Sequence, residues 1–184
     1  MIDAVVKVGG ALLADRDAFA HTLSALERLT PARRLLIVPG GGPFADAVRS
    51  VDQRHGLTSD DAHWMAILGM EQFAYALAAK LHRAELVHDR DEISRAHARE
   101  MLPVLAPYRW LREADPLPHS WDVTSDSLAA WVASELGAER LVLIKLAAQD
   151  SPDAVDRYFD RARTPSLRCS ILTPRMLTGN WFPE

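Results

Sequence analysis

Short apolar runs alternate along the chain with longer segments in which apolar residues recur at helical spacing. The first run, residues 4–8, is rich in valine and stops at Gly9 and Gly10, which is typical of a buried strand. A second run, residues 35–38, ends in the same way at Pro39 and the three glycines that follow it. Further apolar runs predict strands over residues 85–88, 102–105, 141–144 and 169–172.

The segments between these runs have the three- or four-residue apolar spacing of helices that pack with one face against a core. Gly137 follows the helix predicted before residues 141–144 and is suited to end it in the left-handed conformation. The stretch from Pro103 to Pro118 contains four prolines, and beyond its first residues we predict a long irregular loop. The predicted helices cover residues 15–29, a segment that begins at Pro43, and residues 58–82, 125–136 and 152–162.

Alternation of strands and helices predicts an α/β protein with a three-layer αβα sandwich and a mostly parallel central sheet. The length of 184 residues is that of one domain, with enough apolar material for a sizeable core. Ligands of such sheets bind beyond the carboxyl ends of the strands, which is where both glycine clusters lie.

Composition and charge narrow the class of protein. The net charge of −4 and the isoelectric point near 6.0 provide no basic surface for nucleic acid. No apolar run approaches the length of a membrane span, and the start of the chain does not have the pattern of a signal peptide. The single cysteine, Cys169, excludes an internal disulfide and is predicted to lie in the core. We therefore expect a cytoplasmic protein that binds neither nucleic acid nor a membrane. Separately from composition, we also expect a small-molecule substrate and assembly as a homo-oligomer.

The two glycine clusters are candidates for an anion-binding site. Consecutive glycines let backbone N–H groups approach an anion closely, and the helix predicted to begin at Pro43 would direct its positive dipole end to the same place. Lys7, beside the first cluster, would add a full charge, although a lysine at a strand end often only reaches solvent.

Known short motifs do not settle what this site binds. The P-loop pattern is absent, and the G-x-S-x-G turn of α/β-hydrolases is absent as well. Gly40-x-Gly42-x-x-Ala45 fits a loose dinucleotide fingerprint, but its usual acidic partner should end the next strand, and Asp60 and Asp61 begin a predicted helix instead. A dinucleotide-dependent oxidoreductase is therefore the least favoured of the hypotheses.

Three segments resemble the amino-acid kinase superfamily, which includes aspartate, glutamate and uridylate kinases. They read VKVGGALL, VPGGGPFADAVR and VTSDSLAAWVASELGAERLVLI, and the resemblance extends to about Lys145. Within the superfamily, the segments DQRHGLTSDDAHWMAILGMEQFAYALA and LPHSWDVTSDSLAAWVA are similar to kinases that act on aminomethylfuran-methyl phosphate in methanofuran biosynthesis.

The resemblance implies an αβα sandwich in which ATP gives its γ-phosphoryl group to an acceptor oxygen. Lys7 would match the lysine that neutralises the transferring group, and Gly9 and Gly10 would donate backbone hydrogen bonds to it. Asp126 would match the acidic residue that organises the active-site lysines. Phosphoryl transfer needs alignment and charge neutralisation more than a protein nucleophile.

The same resemblance assigns the acceptor to the second glycine cluster, Gly40, Gly41 and Gly42. Magnesium would bridge the ATP phosphates and would be held mainly by those phosphates and by water. The acceptor would be a furan-methanol phosphate-type precursor of a methanofuran-like one-carbon cofactor.

The nucleotide half departs from the superfamily pattern. Members usually follow the LVLI strand with Thr-Asp-Val-Asp-Gly, whereas this chain continues with Lys145-Leu146-Ala147-Ala148. We predict one domain, 1–184, with an acceptor-binding half at 1–123 and a shortened nucleotide-binding half at 124–184. Lys145 would replace a phosphate contact of the nucleotide or would only end the strand. The departure also supports an alternative function, a non-catalytic binding or assembly subunit that has lost ATP.

Two further residues are candidates for binding the substrate. Arg109, next to Trp110, would bind a phosphate, although an aromatic-rich loop of this kind also fits the rim of an oligomer interface. His119 lies shortly before the predicted helix that carries Asp126 and would donate a hydrogen bond to the substrate or order its own loop.

Overall fold

The computed structural model describes residues 2–30, 32–147, 154–179 and 181–182. Six strands and seven α-helices alternate along this part of the chain, with short 3₁₀ helices at Gly10–Ala14 and Pro174–Met176. The strands are β1 (Ala4–Val8), β2 (Leu35–Pro39), β3 (Ala84–Val87), β4 (Leu102–Leu105), β5 (Arg140–Ile144) and β6 (Arg168–Leu172). The helices are α1 (Arg16–Leu29), α2 (Gly42–His55), α3 (Ser59–Ala78), α4 (Arg90–Ala98), α5 (Tyr108–Ala114), α6 (Ser125–Glu135) and α7 (Phe159–Ala162).

All six strands pair in parallel, in the order β3-β4-β2-β1-β5-β6. From β1 the chain passes to β2, which pairs with one side of β1, and it later returns to β5, which pairs with the other side. The strand order therefore reverses at β1, and an open parallel sheet forms a crevice at the carboxyl end of such a strand. The predicted α/β sandwich with a parallel sheet is confirmed.

Each face of the sheet is covered by its own apolar core. Ala4, Val6 and Val8 of β1 pack in the core that includes residues of α1 and the second half of α3. Val5 packs in the other core, together with residues of α4 and α6. Side chains alternate between the faces of a strand, so Lys7 lies on the same face as Val5 and is directed toward α6.

The helices begin and end where local chemistry satisfies their free backbone groups. The side chains of Asp15, Thr58, Asp89 and Thr124 accept hydrogen bonds from backbone N–H groups in the first turns of α1, α3, α4 and α6. Gly137, which follows α6, has a φ of +59°, as expected of a residue that ends a helix in the left-handed region.

The proline-rich stretch was wrongly predicted to be irregular throughout, because it contains helix α5. Pro107 precedes the helix and Pro116 lies beyond its end, so all seven residues of α5 have their backbone donors. Asp115 ends α5 with a φ of +40°. The prolines therefore bound a short helix.

The prediction of a helix over residues 152–162 is also wrong for most of those residues that the structure describes. Residues 152 and 153 lie outside the described residues, and from residue 154 onward only Phe159–Ala162 is α-helical. Asp156 turns toward α6 and accepts hydrogen bonds from it, which competes with a helix in its own segment.

Cys169 lies on β6, at the edge of the sheet, and is exposed, so its predicted place in the core is wrong. In the described ranges, every helix is too short or too polar to cross a membrane.

Candidate active site

The carboxyl ends of β1, β2 and β5 bring together residues that are far apart in the sequence. Lys7 is the penultimate residue of β1 and lies opposite Val38 of β2 and Leu143 of β5. Because the three strands are parallel and in register, the glycines after β1 and β2 and Lys145 after β5 meet at one edge of the sheet.

A carboxylate lies between two lysines at this edge. Oδ1 of Asp126 is 2.9 Å from Nζ of Lys7, and Oδ2 accepts a hydrogen bond of 2.6 Å from Nζ of Lys145. Lys7 is 6% exposed and Asp126 is 4% exposed, and they are the only buried charged residues in the part of the chain that the structure describes. Two ammonium groups against one carboxylate leave a net positive charge.

The pair of lysines controls the protonation of Asp126. Burial alone would raise the pKa of this carboxyl, but the charges of Lys7 and Lys145 outweigh it and hold the pKa below the ordinary value. Asp126 lies in the first turn of α6, where the helix dipole also favours a negative charge. It is therefore a stable anion, and it is poorly suited to accept a proton as a base.

Asp156 fixes the first turn of the helix that carries Asp126, and sequence reasoning missed it. Its Oδ2 accepts hydrogen bonds from N and Oγ1 of Thr124, at 2.9 and 2.7 Å, and from N of Ser127, at 3.0 Å. The Ser127 hydroxyl donates to Oδ1. An acidic residue about 30 positions after the helix start has no local signature, so no sequence pattern could have indicated this contact.

The same segment also contacts the second lysine. The carbonyl oxygen of Ala154, two residues before Asp156, accepts a hydrogen bond from Nζ of Lys145. Residues 154–156 therefore hold both the helix that carries Asp126 and the side chain of one of its lysines.

The two glycine clusters touch each other through their backbones. A Cβ atom on Gly10 would lie 2.2 Å from the nitrogen of Gly42, and Gly42 itself has a φ of +54°. Any side chain at Gly10 would separate the loops, because the obstacle is backbone that has no other rotamer to adopt. The glycines thus have a structural role in addition to any role in binding.

The N–H groups of the clusters divide into two sets. Gly9 donates to the carbonyl of Ile144 and Gly40 donates to that of Val8, both at 2.8 Å, so these two extend the hydrogen bonding of the sheet. The N–H groups of Gly10, Gly41 and Gly42 have no hydrogen-bond acceptor among the described residues. All three glycines line the cavity that contains Lys7 and Lys145.

Two adjoining cavities open at this edge. The first, of about 400 Å³, lies between α2, α3 and the start of α6. The second, of about 830 Å³, contains Lys7, Lys145 and the glycines after β1. The cavities share a wall formed by Gly41, Gly42, Asp46 and Ser125.

The wall of the first cavity is mainly apolar, with a polar group of side chains on one side. The Arg49 guanidinium lies 4.6 Å from the centre of the Trp121 ring, and the Trp121 indole donates a 2.7 Å hydrogen bond to Asp52. His63 of α3 also lines this cavity. The apolar wall consists of Ala45, Leu57, Ala62, Ala66, Ile67, Met70, Val123 and Leu128.

Arg109 and His119, both predicted to bind substrate, lie outside the walls of the two cavities as far as the structure describes them. Arg109 is exposed and pairs with Asp89 and, at 3.1 Å, with Glu92, so its charge is used between α4 and α5. His119 lies behind the first cavity, where its ring stacks on that of His63 with the centres 4.2 Å apart.

Removing the central carboxylate should destabilise the fold in a pH-dependent way. We expect Asp126→Asn to lower the free energy of unfolding by about 3–5 kcal/mol near pH 7, because it leaves Lys7 buried without its anion. A carboxyl with a lowered pKa contributes stability above its ordinary value of 3.8 and loses it as the pH falls through the lowered pKa. The difference between wild type and variant should therefore shrink below about pH 4 in urea unfolding.

Asp122→Asn is the matched control, since Asp122 is exposed and its pair with Arg157 spans 3.6 Å. We expect a change within about 0.5 kcal/mol at every pH. Equal losses for the two variants, or a loss for Asp126→Asn that is the same at every pH, would contradict the prediction.

Asp156→Asn should loosen the start of α6. An amide group can replace only part of the hydrogen bonds that the carboxylate accepts from Thr124 and Ser127, so we expect a loss of about 1–3 kcal/mol in unfolding free energy. Hydrogen exchange of the Thr124 and Ser127 amides should accelerate. Asp160→Asn, an exposed position in the same segment, serves as the control. Unchanged exchange at Thr124 and Ser127 would refute the role given to Asp156.

The chain is similar to known proteins in sequence and in fold. The family profile described as "Amino acid kinase family" matches residues 4–148. A curated relative, the [5-(aminomethyl)furan-3-yl]methyl phosphate kinase of Methanocaldococcus jannaschii, is 28% identical over 141 residues. That alignment covers 76% of this chain, which spans 63% of the length of the relative.

Solved structures of several kinases share the fold. Uridylate kinase from Archaeoglobus fulgidus superposes with a TM-score of 0.61 and 16% identity, over 82% of this chain and 69% of the other. UMP kinase from Ureaplasma parvum gives 0.58 and 18%, over 81% and 72% of the two chains. Aspartate kinase from Synechocystis gives 0.56 and 16%, over 80% and 29%. With the family profile matched over most of its length, the chain belongs to the amino acid kinase family.

Proposed function

We propose that the protein is a kinase that transfers the γ-phosphoryl group of ATP to an oxygen of a small acceptor. The observation that carries this proposal is the arrangement of Lys7, Asp126 and Lys145 beside three N–H groups that have no acceptor among the described residues, where two cavities share a wall. Fixed positive charge and backbone donors in one place are what the transfer of a phosphoryl group requires.

Each residue of the cluster has a distinct task in this mechanism. Lys7 and Lys145 neutralise the charge on the oxygens of the transferring group, and Asp126 holds the two ammonium groups at fixed positions. Both oxygens of Asp126 face lysines and its pKa is lowered, so it orients the cluster and does not remove a proton. The acceptor oxygen attacks directly, without a protein nucleophile.

The backbone donors are Gly10, Gly41 and Gly42. Gly9 was predicted to donate to the transferring group and Gly40 to hold the acceptor, but the N–H groups of both bond to strand carbonyls. We propose that the two glycines instead fix the loops, so that the other three N–H groups point into the second cavity. This arrangement resembles the backbone nests that bind phosphate in other folds.

The second cavity is the proposed site of the ATP phosphates, and its open volume and positive charge fit them. In the described part of the chain, no group of three His, Cys, Asp or Glu side chains is arranged to hold a metal ion. Magnesium would therefore enter with the nucleotide and would supply further charge neutralisation at the phosphates.

The first cavity is the proposed acceptor site, reached across the wall of Gly41, Gly42 and Ser125. A volume of about 400 Å³ with an apolar wall suits one small ring. The relative from Methanocaldococcus jannaschii is named for a furan-methyl phosphate, and we propose an acceptor of that type, as in a precursor of a methanofuran-like cofactor. The division into an acceptor half, 1–123, and a nucleotide half, 124–184, a cytoplasmic location and a homo-oligomeric assembly remain predictions.

A second candidate is a binding or assembly subunit that keeps the acceptor cavity and does not bind ATP. It is favoured by Lys145-Leu146-Ala147, which stands where the family usually has its nucleotide loop, and by the contact of Lys145 with Ala154. Calorimetric titration with MgATP separates the two functions, because the kinase requires measurable binding and the subunit predicts none.

Lys7→Ala should lower kcat by about 100-fold to 1000-fold, because it removes one fixed charge from the transferring group. The assay follows ADP release with MgATP and the furan-methyl phosphate acceptor. Lys80→Ala is the matched control, since Lys80 is exposed at the end of α3, and it should leave kcat unchanged. Full turnover by a folded Lys7→Ala variant would exclude the proposed role of Lys7.

A further inference from the structure

Behind the first cavity, His119 forms a bridge between two carboxylates. Its Nδ1 is 2.6 Å from Oδ1 of Asp60, at the start of α3, and its Nε2 is 2.8 Å from Oδ1 of Asp115, after α5. Ionised carboxylates only accept hydrogen bonds, and a neutral imidazole has only one N–H group. Both nitrogens of His119 must therefore donate, which makes the ring an imidazolium.

The pKa of His119 agrees with this geometry. Burial would lower it, but the hydrogen bonds that the ring donates to Asp60 and Asp115 raise it above the ordinary value. The side chain of His119 is 17% exposed, while those of Asp60 and Asp115 are 76% and 55% exposed, so both contacts lie at the surface.

His63 stacks on this charged ring and is kept neutral by it. The two ring planes are 19° apart with their centres separated by 4.2 Å, and the edge of Trp64 lies against His63 at 4.9 Å. Burial and the positive charge of His119 lower the pKa of His63 from 6.5 to about 4, against smaller opposite effects of Asp115 and Asp60. At neutral pH His63 therefore has one N–H group and one free nitrogen lone pair.

The cavity side of His63 has no partner within the described residues. The other large polar side chains of this wall are engaged, since Arg49 pairs with Asp46 and Asp52 accepts hydrogen bonds from Trp121 and Leu57. His63 lines the cavity, and neither of its ring nitrogens bonds to a described residue. A bound molecule is the natural partner of such a ring.

His63 lies at the far end of the cavity from the lysine cluster. Gly69 of α3 packs against Phe44 and Ala45, at the start of α2 and next to the second glycine loop. His63 precedes Gly69 by six residues, which is about 9 Å along the helix. A molecule that reaches from the glycines to His63 is therefore about as long as a small ring with a substituent on each side.

The two ends of the cavity differ in charge. The glycine end adjoins Lys7, Lys145 and Asp126, with one net positive charge. At the other end, the carboxylates of Asp60 and Asp115 are balanced by the imidazolium of His119 and by the Arg112 guanidinium, which lies 4.5 Å from the centre of the Trp64 ring beside His63. The net charge is therefore positive at the glycine end and close to zero at the His63 end, so the anionic part of a ligand is favoured at the glycine end.

We propose that His63 is the specificity residue of the acceptor site and accepts a hydrogen bond from an ammonium group at the far end of the acceptor. An acceptor of the proposed furan-methyl phosphate type would then place its phosphate at the glycine end and its aminomethyl group at His63. His119 is a positioning residue that keeps the His63 ring neutral and in place. This inference rests on the proposed kinase function and specifies its substrate.

The test compares two acceptors, [5-(aminomethyl)furan-3-yl]methyl phosphate and the same molecule with a methyl group in place of aminomethyl. His63→Phe keeps a stacking ring but removes the lone pair. We expect it to raise KM for the amine about 10-fold to 100-fold, with kcat within about threefold and KM for the methyl analogue unchanged. His63→Gln, whose amide oxygen accepts a hydrogen bond, should recover part of the affinity for the amine.

His82→Phe is the matched control, because His82 is exposed and precedes β3 at the opposite edge of the sheet; it should alter neither KM. An equal change of KM for both acceptors in His63→Phe, or no change for either, would overturn the inference. Calorimetric binding of both acceptors without ATP distinguishes the two proposals. If turnover is absent but His63→Phe selectively weakens binding of the amine, the kinase proposal fails and the role of His63 stands.

Discussion

The ion pair between buried Lys7 and Asp126, completed by Lys145, is the interaction on which the rest of this structure depends. Transfer of a charge from water into a protein interior costs several kcal/mol, and the cost is offset only where an opposite charge lies in contact. Lys7 meets that condition because β1 directs it toward α6, and Asp126 meets it because α6 starts at the level where β1 ends. The packing of α6 on β1 therefore determines how deeply the charged residues of the candidate active site are buried.

The same constraint explains why other parts of the molecule converge on this edge of the sheet. The start of α6 must not shift, so Asp156 accepts hydrogen bonds from its first turn although the two are about 30 residues apart in sequence. The two glycine loops approach until their backbones touch, which requires glycine at positions 10, 40 and 42. These contacts have one result, which is to hold positive charge and free N–H groups beside each other. A site that acts by alignment and charge must be rigid before the substrate arrives.

The proposed recognition of the acceptor depends on charge in a different way. At the lysine end of the first cavity, the charges face the proposed reacting group directly. At the other end, the imidazolium of His119 is held behind His63 and acts through the ring that it contacts. His119 was predicted from sequence to bind the substrate or to order its loop. The geometry favours a positioning role, in which His119 holds the ring of His63, a residue that lines the cavity. Arg109, the other candidate, is used in ion pairs between α4 and α5.

Local pattern determined a large part of this protein. Short apolar runs that stop at glycines predicted β1 and β2, and strand and helix alternation predicted the parallel sheet, because both depend only on periodicity and turn chemistry. The family resemblance selected Lys7 and Asp126 as candidates. Tertiary structure alone decided the helix between Pro107 and Pro116, the exposure of Cys169, the role of Asp156, and which glycine N–H groups are free. Each of these features depends on contacts between segments that are distant in the sequence. Such contacts produce no periodic pattern from which they could be predicted.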